Sequence, residues 1–230
     1  MTTLPARRVL VTGAARGIGR AVAGALAHRD LVLTVRREDD VEPLRAEVPG
    51  AEVMVLDLAD PEGIAARCAG LEVAAVVHCA GVEGVAPAGE LDPALLAAVL
   101  ATNLAGPVEL TRVLLPGLRR SRGHVVFVNS TAVLGTFPGW AAYAASKAAL
   151  RAYADTLRLE EPAVRVTSVF PGRTDTGMQH RIHAAAGRDF DPGTAMSAAS
   201  VAAAVRNVLE GPDDVEVPEL VLTPFTPRDG

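Results

Sequence analysis

Short apolar runs alternate with longer amphipathic segments along almost the whole chain. Seven runs are predicted to be strands, at 9–12, 31–35, 53–56, 73–78, 125–129, 165–170 and 217–222. Helical patterns lie between them at 17–28, 41–47, 61–69, 93–119, 141–159 and 198–210. Strands that are separated by helices pair in parallel, and the helices cover both faces of the sheet. The chain is therefore predicted to be an α/β protein with a doubly wound parallel sheet of about seven strands.

No repeat, low-complexity tract or linker interrupts this pattern, so we predict one domain over residues 1–230 with a loose tail at 223–230. The net charge is −5, no basic patch is present and only 3% of the residues are aromatic. A nucleic-acid partner is therefore not expected. No uninterrupted apolar run reaches about 18 residues, so no membrane span is predicted.

The chain has two cysteines, Cys68 and Cys79, both in apolar surroundings. Two cysteines do not make a disulfide scaffold, and neither has the spacing of a zinc site. We therefore predict reduced, buried thiols and a cytoplasmic location, because thiols stay reduced in that compartment.

A glycine-rich turn joins the first predicted strand to the first helix. It reads Thr12-Gly13-Ala14-Ala15-Arg16-Gly17-Ile18-Gly19. Glycines let a phosphate approach the backbone at a helix N-terminus, where free amides and the helix dipole favour anions. The spacing G-x-x-x-G-x-G differs from the general G-x-G-x-x-G fingerprint, and a purely structural turn is the alternative. Its position at the first turn of an α/β chain favours cofactor binding.

Three polar side chains form a second candidate site. Ser130 follows the strand at 125–129, and Tyr143 and Lys147 are four residues apart on one face of the next helix. A free phenol has a pKa near 10, and lowering it to about 7 requires roughly 4 kcal/mol. One ammonium about 4 Å away supplies about that much at an effective dielectric near 20. A half-buried aromatic beside a solvated lysine is the alternative, but Lys147 is the only lysine in the chain.

Together with Pro171-Gly172 after the sixth strand, these motifs resemble the classical short-chain dehydrogenase/reductase family. The resemblance covers nearly the whole chain in the family's order and spacing, whereas the extended branch is longer and spaces its glycines differently. It implies a Rossmann-type fold, a nicotinamide cofactor and hydride transfer between a carbonyl and an alcohol. It also implies a homodimer or homotetramer built through helices 93–119 and 141–159.

The resemblance gives each member of the catalytic group a role. Tyr143 would be the general acid or base, and Ser130 would hydrogen-bond the carbonyl oxygen. Lys147 would lower the pKa of Tyr143 and bind the nicotinamide ribose. Asn103 would kink the helix at 93–119 and hold a water in a proton relay; an asparagine inside a helix is otherwise mildly unfavourable.

Two arginines favour NADP(H) over NAD(H). Val35 occupies the position of the acid that bonds the ribose 2′-hydroxyl in NAD enzymes, and Arg36 follows it. Arg16, inside the glycine turn, can reach a 2′-phosphate with two hydrogen bonds. The alternative is that Arg16 and Arg36 are solvated and pair with the acidic residues at 38–40.

The resemblance also places further residues at the cofactor. The complete predicted set is Gly13, Arg16, Gly17, Ile18, Gly19, Arg36, Asp57, Ala80, Gly81, Tyr143, Lys147, Pro171, Gly172 and Thr176. Asp57 would bond the adenine amino group, although it could instead cap a helix, for which Asp60 is the better candidate. Thr176 would contact the carboxamide, with Thr174 as the alternative.

His78-Cys79-Ala80-Gly81 departs from the family's usual Asn-Asn-Ala-Gly. The departure puts some hydrogen bonds between strands in doubt. His78 is predicted to be a satisfied residue at the end of a strand rather than a base.

The segment at 177–195 is predicted to cover the substrate. The predicted substrate contacts are Ser130, Phe137, Trp140, Tyr143 and Met178, which make a mostly apolar pocket. His180 and His183 are three residues apart, but no acidic partner accompanies them in the sequence, so no metal is predicted.

The sequence therefore predicts an NADP(H)-dependent oxidoreductase of the carbonyl reductase type, which interconverts a ketone or aldehyde and an alcohol. A catalytically silent NADP(H)-binding sensor or scaffold is one alternative, which the presence of Ser130, Tyr143 and Lys147 disfavours. A dehydratase or epimerase on the same fold is the other, and it would cause no net change in NADPH absorbance.

Overall fold

The fold consists of parallel strands and the helices that connect them. The structure is a computed structural model that describes residues 8–135, 137–185 and 187–225. Its strands are β1 (Val9–Val11), β2 (Leu31–Val35), β3 (Glu52–Val55), β4 (Ala75–His78), β5 (His124–Val128), β6 (Arg165–Pro171), β7 (Thr174–Asp175), β8 (Met196–Ser197) and β9 (Glu219–Leu222). Its α-helices are α1 (Gly17–Ala25), α2 (Val41–Glu47), α3 (Pro61–Cys68), α4 (Pro93–Leu100), α5 (Gly106–Ser121), α6 (Ala141–Glu160), α7 (Gly177–Ala185) and α8 (Ala198–Leu209).

Seven of the strands pair in parallel in the order β3-β2-β1-β4-β5-β6-β9. The chain builds outward from β1 to β3, returns to β4 beside β1 and then builds outward in the other direction. Because the winding reverses between β1 and β4, the loops at their carboxyl ends diverge and leave a crevice. The prediction of one domain with a doubly wound sheet of seven parallel strands is confirmed.

Successive strand residues face two separate apolar layers. Val9 and Val11 of β1 belong to the layer under α1, α2 and α8, whereas Leu10 belongs to the layer under α3, α5 and α6. A strand that is buried on both faces must be apolar throughout, and all five residues of β2 are buried. This is the reason why the strands stand out in the sequence as continuous apolar runs.

The start of α3 follows a capping signal in the sequence. Asp60 accepts a hydrogen bond from the Gly63 N–H at 3.0 Å, and Pro61 occupies the first turn. Asp57 instead accepts a hydrogen bond from the Ala59 N–H at 2.9 Å. The choice of Asp60 as the helix cap is confirmed, so Asp57 is not needed for that purpose.

The predicted helix at 93–119 is not a continuous α-helix. One turn of π-helix at Ala101–Ala105 separates α4 from α5, and the buried Asn103 lies in it. The predicted distortion at Asn103 is therefore present. Turns of this kind are rare and often occur at functional sites.

The combined helix Pro93–Ser121 is apolar as well as long. It contains a stretch with a mean hydropathy of 1.4, of which 33% is buried, and by length and composition it could cross a membrane. One such helix is weak evidence, because a core helix of a globular protein has the same properties. In this fold α5 packs against α3 and β4, and its surface carries the ion pair of Arg112 with Glu109 at 2.7 Å.

Part of the covering segment is more ordered than its sequence predicts. Residues 177–185 form α7, and β7 and β8 pair in a small parallel sheet that joins the two ends of the segment. Ile182 is the only buried residue of α7, so its sequence has little amphipathic pattern. Of the predicted loose tail, Phe225 is 90% exposed, and residues 226–230 lie outside the described residues.

Candidate active site

The crevice at the carboxyl ends of β1, β4 and β5 is a cleft of about 320 Å³. This volume lies within the range of small-ligand sites. Its lining includes most of the predicted cofactor set: Gly13, Arg16, Gly17, Ile18, Gly19, Arg36, Asp57, Ala80, Gly81, Tyr143, Lys147 and Thr176. The fold thus brings residues from both halves of the sheet into one site.

The glycine turn at the start of α1 accepts only glycine at several positions. Gly13 and Gly17 have positive φ angles of 66° and 58°. A Cβ on Gly13 would lie 2.7 Å from the Cα of Ala80, and one on Gly19 would lie 2.3 Å from the Gly13 carbonyl oxygen. Arg16, the N-cap residue, makes no side-chain capping bond, so the first amides of α1 are available to an anion. The cradle therefore fits the diphosphate of a dinucleotide.

Two members of the predicted cofactor set lie away from the cleft. In the part of the chain that the structure describes, Pro171 and Gly172 do not line it, and a Cβ on Gly172 would contact the Leu222 carbonyl oxygen at 3.2 Å. The edge strand β9 packs against them, and their predicted contact with the nicotinamide stays a prediction. Thr176 lines the cleft, whereas Thr174 is buried and donates to the Gly172 carbonyl at 3.0 Å.

Tyr143 and Lys147 line the cleft, and Ser130 lies beside Tyr143. The Ser130 hydroxyl hydrogen-bonds to the Tyr143 phenol and accepts the Ala132 N–H at 3.1 Å. The Lys147 ammonium lies 5.8 Å from the centre of the Tyr143 ring and donates to the Val128 carbonyl at 2.9 Å. Tyr143 and Lys147 are only 8% and 4% exposed, so both polar groups work in a site of low dielectric.

Burial controls the ionisation of both groups on α6. It raises the pKa of Tyr143 above its ordinary value, the Ser130 hydrogen bond partly offsets this, and the Glu83 charge adds to it. Burial also lowers the pKa of Lys147 to about 8. The expectation that Lys147 brings the phenol to about 7 is not met in this structure, because desolvation dominates. The phenol is protonated at neutral pH, and Lys147 is mostly charged.

Asn103 connects the π-helical turn to the site. Its Oδ1 accepts the Val82 N–H at 2.8 Å, and its Nδ2 donates to the Val82 carbonyl at 2.9 Å and to Ser146 Oγ at 3.1 Å. Ser146 in turn donates to the Tyr143 carbonyl at 2.7 Å. Asn103 therefore holds the loop after β4 against α6. Its role in a proton relay stays a prediction.

The arginines at the adenosine end of the cleft differ in their partners. Arg37 bonds Asp40 at 3.3 Å. Arg36 lines the cleft and makes no ion pair within the described ranges, and Arg16 lies close enough to Glu83 to lower the pKa of that carboxyl. The acidic residues at 38–40 therefore neutralise Arg37 and not the two candidates. Of the two candidates, Arg36 is the one whose charge no acid offsets within the described ranges.

Two of the predicted substrate residues lie at the phenol or in the cleft. Trp140 packs edge-to-face on the Tyr143 ring, with the ring centres 5.3 Å apart, and Met178 lines the cleft. Phe137 is 56% exposed and does not belong to the cleft lining within the described residues. The contact of these residues with a substrate stays a prediction.

His78 and Cys79, which replace two asparagines of the family, are both uncharged. His78 bonds Thr111 Oγ1 at 2.9 Å and stacks on Phe127 at 4.9 Å, and burial lowers its pKa to about 3. Burial raises the pKa of Cys79, which lines the cleft, to about 12. His78 is therefore not a base near neutral pH, as predicted, but its buried Nδ1 has no hydrogen-bond partner among the described residues, so the prediction of a satisfied residue is wrong.

His180 has an acidic partner that the sequence did not indicate. Its Nε2 lies 2.8 Å from Asp175 Oδ1, and both His180 and His183 pack against Phe190. No group of three or more metal-binding side chains occurs among the residues that the structure describes. The contact therefore stabilises the covering segment without forming a metal centre.

Two polar residues that support the site were not predicted. Asn129 accepts the Ser130 N–H at 2.9 Å and donates to the Lys147 carbonyl at 3.1 Å, so it joins the end of β5 to α6. Thr12 accepts the backbone N–H groups of residues 79 and 80, each at 3.1 Å. Both end an apolar strand, which is the signal that could have identified them.

A parallel sheet with this strand order and a glycine cradle beside its reversal point define a dinucleotide-binding protein of the Rossmann type. Residues 7–187 match the model of the family described as short chain dehydrogenase. The chain belongs to the short-chain dehydrogenase/reductase family.

Relatives extend over almost the whole chain. An uncharacterized short-chain type dehydrogenase/reductase of Sinorhizobium fredii is 32% identical over 94% of this chain and 90% of the relative. The NADP-dependent 3-hydroxy acid dehydrogenase of Salmonella typhi is 29% identical over 95% of each. The alcohol dehydrogenase of Thermococcus sibiricus, solved with 5-hydroxy-NADP, has a TM-score of 0.83 and 29% identity over 97% of this chain and 99% of that chain.

Proposed function

We propose that this protein is an NADP(H)-dependent oxidoreductase that reduces a ketone or aldehyde or runs the reverse oxidation. The observation that carries the proposal is that Tyr143 and Lys147 line the cleft that begins at the glycine cradle, with Ser130 hydrogen-bonded to the Tyr143 phenol. A proton donor and an anion cradle in one cleft are the two parts that hydride transfer to a carbonyl requires.

The protein residues supply the proton and the position of the substrate. When bound, the cofactor supplies the hydride for the carbonyl carbon. Tyr143 is protonated at neutral pH and gives its proton to the carbonyl oxygen, which becomes a hydroxyl. Ser130 donates a hydrogen bond to the same oxygen. The Lys147 charge stabilises the phenolate that remains, and in oxidation each transfer runs in reverse.

The cradle residues and Arg36 divide the binding of the cofactor. The first amides of α1 would hold the diphosphate, Arg36 would hold the 2′-phosphate and Asp57 would bond the adenine. Ala80 and Gly81 would line the ribose, Thr176 would bond the carboxamide and Lys147 would bond the ribose hydroxyls. Two relatives whose names carry NADP support this preference.

We expect NADPH to bind at least tenfold more tightly than NADH, a difference of about 1.4 kcal/mol. Binding is measured by titration, with the fluorescence of Trp140, the only tryptophan, as the signal. Arg36→Ala should abolish the preference, because it removes the charge that faces the phosphate. Arg45→Ala is the control, since Arg45 is exposed and pairs with Glu42 at 2.6 Å. If the unmodified protein bound NADPH and NADH equally well, the proposed role of Arg36 would be wrong. The proposed roles of the catalytic residues would not be affected.

The same experiments separate the two alternatives. A silent sensor would bind NADPH but reduce no carbonyl compound, and Tyr143→Phe would change nothing. A dehydratase or epimerase would convert its substrate without a net loss of NADPH absorbance.

We also propose that the protein forms a homodimer, or a homotetramer that contains this dimer, through α4, α5 and α6. Two-thirds of the apolar stretch in Pro93–Ser121 is unburied, and Leu159 of α6 is 84% exposed. Light scattering is expected to give at least twice the 23.8 kDa chain mass. Leu159→Glu should shift the equilibrium to monomer, and Arg45→Glu, on α2 in the opposite layer, should not. A monomer in the unmodified protein at micromolar concentration would disprove the proposal.

The cytoplasmic location stays a prediction. Both cysteines are free thiols.

A further inference from the structure

One ion pair in the cleft has no part in the mechanism above. Arg181, on α7, donates from Nε to Glu83 Oε1 at 2.8 Å, and Glu83 lies on the loop after β4. The two residues are 98 positions apart, so the contact connects the covering segment to the sheet side of the cleft. Their side chains are 48% and 26% exposed, which leaves the guanidinium accessible to a ligand.

Within the described residues, the Arg181 guanidinium makes hydrogen bonds through its Nε–H group alone. Its Nε–H bonds Glu83, and its two terminal amino groups make no hydrogen bond or ion pair with any residue in the described ranges. Arg181 also lines the cleft. A guanidinium that is held at Nε presents the remaining donors in a fixed plane, which suits an oxyanion that accepts two hydrogen bonds.

The charges around Glu83 favour a further anion. Burial acts to raise the pKa of Glu83, but the hydrogen bond and charge of Arg181 and the charge of Arg16 outweigh it, so the carboxyl stays ionised. One carboxylate between two guanidiniums leaves one net positive charge. The N-terminus of α7, at Gly177, lies one turn before Arg181 and adds to the positive potential.

The pair lies along the cleft between the glycine turn and the phenol, since the Arg16 charge acts on Glu83 from one side. The Glu83 charge acts on the Tyr143 phenol, which must be next to the reacting carbonyl. The diphosphate already has the first amides of α1, and Arg36 lies at the other end. Met178, on the same helix as Arg181, and Trp140 provide apolar surface around the phenol.

We propose that Arg181, held in place by Glu83, binds the carboxylate of the substrate, so that the protein acts on oxo acids with an apolar chain and on the corresponding hydroxy acids. This inference rests on the proposed oxidoreductase function. Arg181 is a specificity-determining residue, and Glu83 is a positioning residue that acts through it. The carboxylate occupies the terminal amino groups and leaves the bond from Nε to Glu83 intact.

The test compares acids with their methyl esters. Reduction of 3-oxo acids of four to eight carbons and of their methyl esters is measured with NADPH. The unmodified protein is expected to prefer the acid at least tenfold in kcat/KM, since only the acid can pair with Arg181. Arg181→Gln should lower that ratio at least tenfold, while ester reduction and NADPH affinity stay within about threefold. Arg188→Gln, an equal change of charge in the same segment but outside the cleft lining, should preserve the ratio.

Glu83→Gln tests the role of Glu83 through the pH dependence of activity, which a purely structural contact would not change. Its negative charge raises the pKa of Tyr143, so its removal should lower that pKa. Reduction requires the protonated phenol, and the loss of activity at alkaline pH should therefore begin at lower pH in the variant. The acid preference should also fall, because the guanidinium loses its anchor.

Three results would overturn the inference. Esters reduced as well as acids by the unmodified protein would show that no carboxylate is recognised. An unchanged ratio in Arg181→Gln with weaker NADPH binding would assign Arg181 to the diphosphate instead. Failure to reduce any acid, ester or neutral ketone would disprove the proposed function itself, and this inference with it.

Discussion

Tyr143→Phe is expected to lower kcat/KM for carbonyl reduction by at least about a thousandfold, within the range that one general acid contributes. The phenol is the proton donor in the proposed reaction, it is protonated at neutral pH, and it hydrogen-bonds Ser130. Phenylalanine keeps the ring and its packing on Trp140 but cannot give a proton. NADPH affinity should change by less than about threefold.

The chain provides a matched control for this change. Tyr153, the second of two tyrosines, lies on the same helix and packs edge-to-face on Phe127 with ring centres 5.9 Å apart. Tyr153→Phe removes a hydroxyl from α6 outside the cleft lining, and its activity should stay within about threefold of the unmodified protein. If Tyr143→Phe retains most of the activity, Tyr143 is not the acid and the proposed mechanism is wrong.

Mild acid is expected to destabilise the protein through two buried histidines. Burial lowers the pKa of His78 and of His124 from 6.5 to about 3. The Nδ1 atoms of both rings have no hydrogen-bond partner among the residues that the structure describes. Thr167 donates to the Val217 carbonyl at 2.7 Å and must therefore accept from His124 Nε2, which lies 2.8 Å away. Protonation would place an unpaired N–H and a charge inside the core.

The direction of the change in stability follows from the difference in histidine pKa between the unfolded and the folded chain. The unfolded chain protonates these rings near pH 6.5 and the folded chain only near 3, so stability falls as the pH drops between these values. The interval from pH 6.5 to pH 5 spans about 1.5 pH units. Over it, each histidine lowers the free energy of unfolding by roughly 2 kcal/mol. The loss from both, about 4 kcal/mol, is a large part of the 5–15 kcal/mol that a typical domain has.

Urea unfolding at pH 7.5 and pH 5 tests this prediction. The free energy of unfolding should be about 4 kcal/mol lower at pH 5, and His124→Gln should reduce the difference by about half. His28→Gln is the control, since His28 is exposed and pairs with Glu210 at 2.7 Å. NMR titration of the ring protons gives an answer even if a variant fails to fold. Titration of His78 or His124 near pH 6.5 in the folded protein would contradict the prediction.

The sheet could be predicted because its strands are buried on both faces. Burial of every residue in β1, β2, β4 and β5 makes these strands continuous apolar runs that are visible in the sequence. The glycine cradle could be predicted for a related reason, since a Cβ at Gly13 or Gly19 would overlap the backbone. The pair on α6 could be predicted because a spacing of four residues fixes a common helix face.

The contacts between distant segments could not be predicted in this way. The polar α7 buries one residue and has no pattern that would reveal a helix. The direction of the Tyr143 pKa shift depended on burial, which the spacing of Tyr143 and Lys147 does not contain. The packing of β9 against Gly172 could not be predicted, because the two segments are 50 residues apart in the chain.

By itself, the sequence determined the fold class, the glycine cradle and the three residues of the proposed catalytic group, because each depends on short-range periodicity or on the size of a single side chain. Only the tertiary structure decided that Arg36 faces the cleft with no ion-pair partner among the described residues, that burial keeps Tyr143 protonated, and that Glu83 meets Arg181 across the cleft. Charge pairing and desolvation depend on which surfaces the packed helices bring together. That information is absent from any local stretch of the chain.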